Sequence, residues 1–428
     1  MRFWNQQVQE SLSMAGVACT FFSIFFTFQP SVAQTTDDQA IDCHGPYQQM
    51  SVSQTLLSEI LGAHQKWLIN RQDADGRRAN LCGADLRKVD FREVDLSGAN
   101  LSGTQMSHAD LSGGTFVKAN FQGANLREAS LSISDLREAN FTLANLNGAD
   151  LRKADLARAN FYQTSLREAN LADAYLGFAN LREAVLDDGY LVGASLDGAN
   201  LTQASLRGAD LQGVNLHRAV MKKANVAQAD LFQAELQEAD LQEINLDQAE
   251  LHGANFNEAN LQQASLRSAN LERGIFYKAN LQHADLSEAN LQEADLLLAD
   301  LSHAQLREAS FDEAYMAKAN LQESGLEDAD FSWANMVGAD LSLANLSRVV
   351  LFNTNLQDAN LSEANLQGAD MRGTDIRNAQ LTRTDLRRTS LKFIFGLTQE
   401  QLNQACIDEK TGLPKGLTQP RPCEVKEH

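Results

Sequence analysis

Residues 84–88 read Ala-Asp-Leu-Arg-Lys and residues 359–363 read Ala-Asn-Leu-Ser-Glu, and both are copies of one five-residue phrase. The phrase is written sixty-three times from residue 79 to residue 393 without an insertion or a deletion. Its third residue is apolar in every copy from Leu81 to Leu391, and its first residue is Ala in forty-seven copies. An unbroken apolar column of this length predicts one continuous core.

The two apolar positions of the phrase are separated by a single, mostly polar residue. Residues two apart on an extended chain point to the same side, so Ala and Leu share a face while the Asp, Asn or Ser between them points away. The last two residues of each copy must then turn the chain. A helix is a poor interpretation, because a five-residue period would spiral the Leu column around its surface. The phrase therefore predicts a solenoid whose coils bury their apolar side by stacking.

The phrase resembles the pentapeptide-repeat family, and the resemblance covers about three quarters of the chain. It implies an all-β fold, a right-handed quadrilateral β-helix with twenty residues per coil. Bulky core residues should stack on bulky residues of the next coil, and Phe residues of the apolar column are twenty apart in four pairs: Phe121/Phe141, Phe141/Phe161, Phe256/Phe276 and Phe311/Phe331. No pair is fifteen apart, as three sides would require. Just under sixteen coils at ~4.8 Å each predict a rod roughly 75 Å long with a dry core.

Residues 1–33 have the features of an export signal. Arg2 is a positive start, residues 14–28 form an apolar run, and Ser31-Val32-Ala33 is a small-x-small site, so we expect cleavage after Ala33. The apolar run is short for a membrane span, which needs about 20 residues. The prediction is an exported protein, periplasmic or secreted, with no membrane contact for the mature chain. An uncleaved N-terminal anchor is the alternative.

The segments that flank the repeats are predicted to cap the solenoid. In residues 34–78, apolar residues at helical spacing predict a helix over about 54–69, in which His64 is a packed residue. In residues 394–428, a short helix follows Thr398, a plausible N-cap, and leads into an irregular tail. The open ends of a solenoid expose apolar residues and unpaired strand groups, which these helices would cover.

Four cysteines remain once the signal is removed, and they lie in twos beside the caps. Pairing across the rod would need a reach of tens of ångströms. We therefore predict disulfides between Cys43 and Cys82 and between Cys406 and Cys423, which suits an oxidising compartment.

The net charge of −20 is concentrated in one part of the repeats. Residues 79–223 carry fifteen basic and seventeen acidic residues, whereas residues 224–347, here named the acidic segment, carry five and twenty-two. The prediction is a non-enzymatic scaffold or interaction rod whose acidic segment binds a basic protein partner, whose identity the sequence does not give. The charge density approaches that of DNA, and several proteins of the resembled family mimic DNA, so a topoisomerase inhibitor retained in the cytoplasm is the first alternative. A purely structural surface protein is the second.

The twenty-residue register allows the outward columns of the acidic segment to be written down. One column should hold Glu288, Glu308 and Asp328, and a neighbouring column should hold Glu293, Glu313 and Trp333; these six are the candidate partner-binding residues. Stacked like charges are destabilising unless they are offset, in part by Arg307 and otherwise by a basic partner or a hard cation. Trp333 is a reasonable interface anchor.

Other chemistry is sparse in this sequence. His283 and His303 should be adjacent in one column with Glu323 on the next coil, but chance alignment on a repetitive surface explains this arrangement well, and we predict no metal site. No phosphate-binding glycine loop, His-Glu-x-x-His motif or nucleophile elbow is present. We therefore expect no catalytic residues, no cofactor and no nucleic-acid partner.

Overall fold

The computed structural model describes Cys43 and residues 47–420. All of these belong to the compact unit Cys43–His428. The predicted signal of residues 1–33, the cleavage site after Ala33, and Cys423 lie outside the described residues. Within the described part of the chain, no helix is both long and apolar enough to cross a membrane.

The repeats form a coil in which residues twenty apart are joined by parallel β-bridges. These bridges run without a break from Asn80↔Asn100 to Asn365↔Asp385. The next bridge in the series, between residues 370 and 390, is not formed. Each coil contains four turns and therefore four walls, and each wall is centred on one bridging residue. The bridges are isolated, so the walls are too short to count as longer strands in the described residues.

The Phe residues of the core stack from coil to coil at the spacing that the sequence predicted. The ring centroids of Phe121 and Phe141 are 4.8 Å apart, and those of Phe141 and Phe161 are 4.9 Å apart, with nearly parallel planes. The Phe256/Phe276 and Phe311/Phe331 pairs stack at 4.8 Å and 4.6 Å. Every residue of the apolar column from Leu81 to Leu391 is buried, so the interior is closed by side chains.

The turns place one residue of each repeat in the left-handed conformation. This residue has a positive φ in all sixty-two repeats from Gly83 to Arg388, and only fourteen of the sixty-two are Gly. The following Ala closes the turn, as when the Ala84 amide donates to the Leu81 carbonyl at 3.0 Å. Because most of these residues carry a Cβ, which disfavours positive φ, hydrogen bonds between coils hold the conformation.

Every backbone amide of a typical repeat has an acceptor. In residues 100–104, one full period of the repeat, three amides donate to carbonyls of the neighbouring coils and one closes the turn. The fifth amide, that of Ser102, donates to the Asn100 side-chain oxygen at 3.2 Å. The same contact recurs at many repeats that carry Asp or Asn, so this outward residue satisfies an otherwise unpaired amide, which is why short polar acceptors suit the position.

Helix α1, Gln54–Ile69, covers the first coil and occupies the span that the apolar spacing predicted. Ser53 caps its N-terminus by accepting a hydrogen bond from the Leu56 amide. His64 is fully buried, its Nδ1 accepts from the Ala79 amide at 3.0 Å, and its ring stacks on Trp67 at 5.3 Å. His64 thus joins the helix to the start of the repeats.

The segment before α1 also pairs with the first coil. Ser51 bridges to Asp85, and the Gln49 amide donates to the Gly83 carbonyl at 2.9 Å. Cys43 is disulfide-bonded to Cys82, with their Cα atoms 5.7 Å apart, which is the pairing that the sequence predicted. The disulfide holds this segment against the corner of the coil.

Helix α2, Gln399–Gln404, closes the other end. Thr398 is its N-cap, and Thr398 and Gln401 form a reciprocal capping box. The Gln401 side-chain amide donates to the Ile376 and Ala379 carbonyls at 3.0 Å and 2.9 Å. Beyond α2 the chain continues the coil, since Cys406 bridges to Asp385 and residue 412 bridges to residue 390. Cys406 is also disulfide-bonded, but its predicted partner lies outside the described residues.

Candidate interaction surface

The six candidate residues lie along the two corners of one wall. This wall, here named the acidic wall, is centred on the bridging residues Asn290, Ser310 and Asp330. Glu288, Glu308 and Asp328 occupy the left-handed turn position at one of its corners, and Glu293, Glu313 and Trp333 occupy that position at the other. Hydrogen bonds between successive turns stack each corner, as from the Glu288 amide to the Arg307 carbonyl at 2.8 Å.

The first corner is largely neutralised by arginines. Glu308 forms an ion pair with Arg307 at 2.7 Å, and Asp328 forms one with Arg348 at 2.6 Å. The hydrogen bonds from the Arg348 guanidinium lower the pKa of the Asp328 carboxyl. Glu288 accepts a hydrogen bond from the Ser268 hydroxyl at 3.0 Å. This column is therefore less repulsive than its sequence alone indicates.

The second corner combines one neutralised carboxylate, one unpaired carboxylate and an aromatic residue. Arg273 binds Glu293 at 2.8 Å, and these hydrogen bonds lower the pKa of Glu293. Glu313 has no ion pair with any of the described residues. Trp333 is 58% exposed, and its ring meets Phe352 edge-on at 5.7 Å. An exposed indole beside an unpaired carboxylate thus ends this corner.

Two further carboxylates on the acidic wall were not among the predicted residues. Asp312 lies beside Glu313 in the turn, and partial burial raises the pKa of Asp312, with smaller contributions from the charges of Asp330 and Glu293. Asp330 receives hydrogen bonds from the amide and the hydroxyl of Ser332 at 2.9 Å and 2.6 Å. Asp312 therefore lies in a partly desolvated position, and the like charges of Asp330 and Glu293 add to the cost of ionising it.

The structure brings the two predicted histidines together. The His283 and His303 rings stack at 4.8 Å, and Nδ1 of His303 lies 3.4 Å from Oε2 of Glu323. No group of three or more His, Cys, Asp or Glu side chains among the described residues has a geometry that could hold a metal ion.

Sequence reasoning predicted that Arg307 offsets part of this charge, and its ion pair with Glu308 confirms it, but it missed Arg273, Arg348, Asp312 and Asp330. Arg273 lies twenty residues before Glu293, and Arg348 lies twenty residues after Asp328, one residue beyond the acidic segment. The same register that defined the columns would have found both arginines. No equivalent signal in the sequence distinguishes Asp312 and Asp330 from the other acidic residues.

These features define a class of protein, a β-helical repeat protein whose outward residues are arranged in ladders from coil to coil. The chain belongs to the pentapeptide-repeat family, whose fold is a right-handed β-helix. The family profile described as "Pentapeptide repeats (8 copies)" matches ten ranges, which are 77–113, 105–142, 134–173, 144–182, 164–203, 199–236, 234–273, 275–312, 324–357 and 354–392. Members of this family are generally non-enzymatic structural or interaction proteins.

Several solved structures are similar to this chain. A pentapeptide repeat protein from the Arabidopsis thaliana thylakoid lumen is 34% identical over 23% of this chain and 68% of its own, with a TM-score of 0.22. HetL from the cyanobacterium Nostoc sp. strain PCC 7120, involved in heterocyst differentiation regulation, is 33% identical over 60% of this chain and 90% of its own, with a TM-score of 0.21. QnrB1, a plasmid-mediated fluoroquinolone resistance protein, is 18% identical over 47% of this chain and 85% of its own, with a TM-score of 0.28. A comparison with curated proteins found no match.

Proposed function

We propose that this chain is an exported, non-enzymatic interaction rod whose acidic segment binds a basic protein partner through the acidic wall. One observation carries the proposal: Asp312, Glu313 and Asp330 form no ion pair with the described residues, and they lie on the same coil as the exposed Trp333 or on the coil before it. An aromatic anchor beside unpaired charges of one sign is suited to a partner that supplies an apolar pocket and lysines or arginines.

The surrounding charge pairs support the choice of this surface. Elsewhere on the same wall, Glu293, Glu308 and Asp328 are each bound by an arginine. Exposed pairs of this kind add little to stability, but they leave no charge for a partner to neutralise. The remaining carboxylates would supply complementary potential, which increases association rates and selects against acidic partners.

The test compares two variants with equal changes in charge. The full-length protein first captures its partner from the native periplasm or medium, and binding of the purified partner is then measured directly. We expect the triple variant Asp312→Asn, Glu313→Gln, Asp330→Asn to weaken binding by roughly tenfold or more, since each lost contact at a desolvated site costs about 1 kcal/mol.

The control triple variant is Asp285→Asn, Asp300→Asn, Asp340→Asn, which removes the same charge from two other walls of the acidic segment. It should change binding by less than about threefold at moderate salt, because screening weakens distant charges. Equal losses in the two variants would show that net charge, and not this wall, determines binding, and the proposal would be wrong.

Export is the second part of the proposal. The Cys43–Cys82 disulfide points to an oxidising compartment, and the signal features of residues 1–33 supply a route to one. Fractionation of the native host followed by N-terminal sequencing should find a mature chain outside the cytoplasm that begins at Gln34. A full-length chain in the cytoplasm would instead favour the alternative of a DNA-mimicking topoisomerase inhibitor.

A further inference from the structure

An apolar stripe runs along the outside of the coil within the acidic segment. It consists of one turn residue from each of four successive coils: Tyr277, Leu297, Ala317 and Val337. The residues that follow the first three donate their amides to carbonyls of the next coil at 2.9–3.2 Å, so the four side chains lie in one column. The column is polar at both ends, where Asn257 precedes it and Gln357 follows it.

Tyr277, Leu297 and Val337 are half-buried and Ala317 is buried, so the stripe is a partly exposed apolar surface. It borders a wall that carries exposed apolar groups. This wall, here named the aromatic wall, is centred on the bridging residues Ile275, Asp295 and Tyr315. Tyr315 is 42% exposed, and Leu298, beside the stripe, is 41% exposed. Contiguous exposed apolar groups with a polar rim mark interaction sites more often than isolated ones do.

The two edges of the aromatic wall differ in chemistry. One edge is the apolar stripe, and the other is the corner that carries Asp312, Glu313 and Trp333. Ala317 lies only four residue steps beyond Glu313 along nearly extended chain, so the wall is at most about 13 Å wide. An α-helix with its side chains is about 10–12 Å across. A helix lying on this wall would therefore touch the apolar stripe with one side and the unpaired carboxylates with the other.

The spacing of the stripe also favours a helix. Its residues repeat every ~4.8 Å, the distance between coils, while side chains on one face of an α-helix repeat about every 5.4 Å. Side chains on one face of a strand repeat about every 6.6 Å, which loses register after a single step. A second copy of the chain would match the spacing, but two acidic segments would then face each other across the interface and repel.

We infer that the aromatic wall binds an amphipathic basic helix, with its apolar face on the stripe and its lysines or arginines toward Asp312 and Glu313. This inference rests on the proposed function and specifies the partner. The stripe is about 14 Å long from Tyr277 to Val337, which corresponds to roughly ten helical residues. The expected recognition sequence has apolar residues at i, i+3 or i+4, and i+7, and basic residues on the flank.

The test uses two synthetic peptides of about 14 residues, long enough to cover the stripe as a helix. Both contain only leucine and lysine in equal proportions, but one places leucine at helical spacing and the other alternates leucine with lysine, which favours a strand. Binding to the full-length protein is measured by fluorescence anisotropy. The helical peptide should bind, and the alternating peptide should bind at least roughly tenfold more weakly.

Matched variants locate the binding site. Leu297→Ser together with Val337→Ser should weaken binding of the helical peptide by roughly tenfold or more, because apolar contact area is lost. Val117→Ser is the control, since Val117 occupies the same corner of the coil outside the acidic segment, eight coils before Tyr277 and between Ser97 and Arg137. This control should leave the affinity unchanged, and circular dichroism should show that all variants remain folded.

Three results would overturn the inference: unchanged affinity in the double serine variant, equal binding of both peptides, or a wild-type dimer that this variant dissociates. The carboxylate variant Asp312→Asn, Glu313→Gln, Asp330→Asn separates the two proposals. If it weakens binding of the native partner while the double serine variant does not, the acidic wall remains the binding surface and only the helix on the aromatic wall is rejected.

Discussion

Residues 79–223 and the acidic segment share one backbone and one core but differ in how their charges are paired. In the first region, four arginines form ion pairs at 2.6–2.7 Å with an aspartate two residues earlier: Asp85/Arg87, Asp90/Arg92, Asp135/Arg137 and Asp150/Arg152. In the acidic segment no arginine follows an acid at that spacing, and Arg273 reaches Glu293 on the next coil. The comparison teaches that the core specifies the coil, while the outward residues are free to differ.

The largest expected effect comes from substitutions in the core that the two regions share. Phe161 and Phe276 each stack on one earlier Phe, the first in residues 79–223 and the second in the acidic segment. If both regions share one core, Phe161→Ala and Phe276→Ala should each lower the free energy of unfolding by about 3–5 kcal/mol, through lost burial and a cavity. Chemical denaturation measures both. If the two substitutions lower the free energy of unfolding by amounts that differ by more than about 2 kcal/mol, the two cores are not equivalent.

Acidification should affect the N-terminal cap and the acidic segment in opposite directions. Burial lowers the pKa of His64, so the neutral form is favoured in the folded cap. Its contribution to stability is complete above the unfolded pKa of 6.5 and is lost as the pH falls through the lower folded pKa. The pKa of Asp312 is raised, first by burial and then by the charges of Asp330 and Glu293. Protonation removes both costs, so the acidic wall gains stability as the pH falls through the folded pKa toward the unfolded pKa.

Hydrogen exchange measured from about pH 7.5 to about pH 5 distinguishes the N-terminal cap from the acidic segment. Amides of α1 should lose protection on acidification, and those around Asp312 should not. His64→Leu removes both the titration and the acceptor for the Ala79 amide, so it should cost about 1–3 kcal/mol at neutral pH and abolish the pH dependence of the cap. A cap whose protection still falls with pH in this variant would exclude His64 as the cause.

A smaller effect is expected from single carboxylates of the acidic wall. Asp312→Asn should raise the free energy of unfolding by less than about 1 kcal/mol, because it removes the desolvation cost of a partly buried carboxylate and the smaller repulsion from Asp330 and Glu293. Asp328→Asn should lower it, because the ion pair with Arg348 is lost. Thermal unfolding of the two variants at low salt checks the signs. The same sign for both would mean that local pairing does not distinguish these carboxylates.

The smallest effect concerns the left-handed turn residues. Ile133 and Leu343 both have positive φ, at 58° and 62°, and both are exposed. The β-branched Ile is the more strained of the two, so Ile133→Asn should stabilise the protein by about 0.5–1 kcal/mol and Leu343→Asn by less. Denaturation midpoints give the comparison. A loss of stability in Ile133→Asn would show that its side chain contributes packing that exceeds the backbone strain.

Much of the fold was predictable because its signals are local and repeated. The apolar column predicted the core, the Phe spacing predicted the register, and the helical spacing before Arg77 predicted α1 with the bounds Gln54–Ile69. The continuation of the coil beyond α2, through Cys406 and Gly412, was not predicted, because these residues are 21 and 22 residues from their bridging partners and no longer follow the phrase.

The candidate surface was predictable only in its columns. The register determines which side chains are neighbours. A long arginine side chain, however, can pair with a carboxylate of its own repeat or with one on a neighbouring coil. Arg307 binds the adjacent Glu308, whereas Arg348 binds Asp328 twenty residues earlier. The unpaired state of Asp312 follows from what all of its neighbours do, and no short pattern in the sequence encodes that.

The constant spacing of the bridges also has an evolutionary consequence. Each coil presents the same backbone edge that it receives, so duplication or loss of four consecutive phrases leaves every remaining bridge intact. Such a change would move the two capped ends apart or together by about 4.8 Å without redesigning either end. The length of the coil can therefore change in steps of one coil, and a natural variant whose length differs by twenty residues would keep both its caps and its fold.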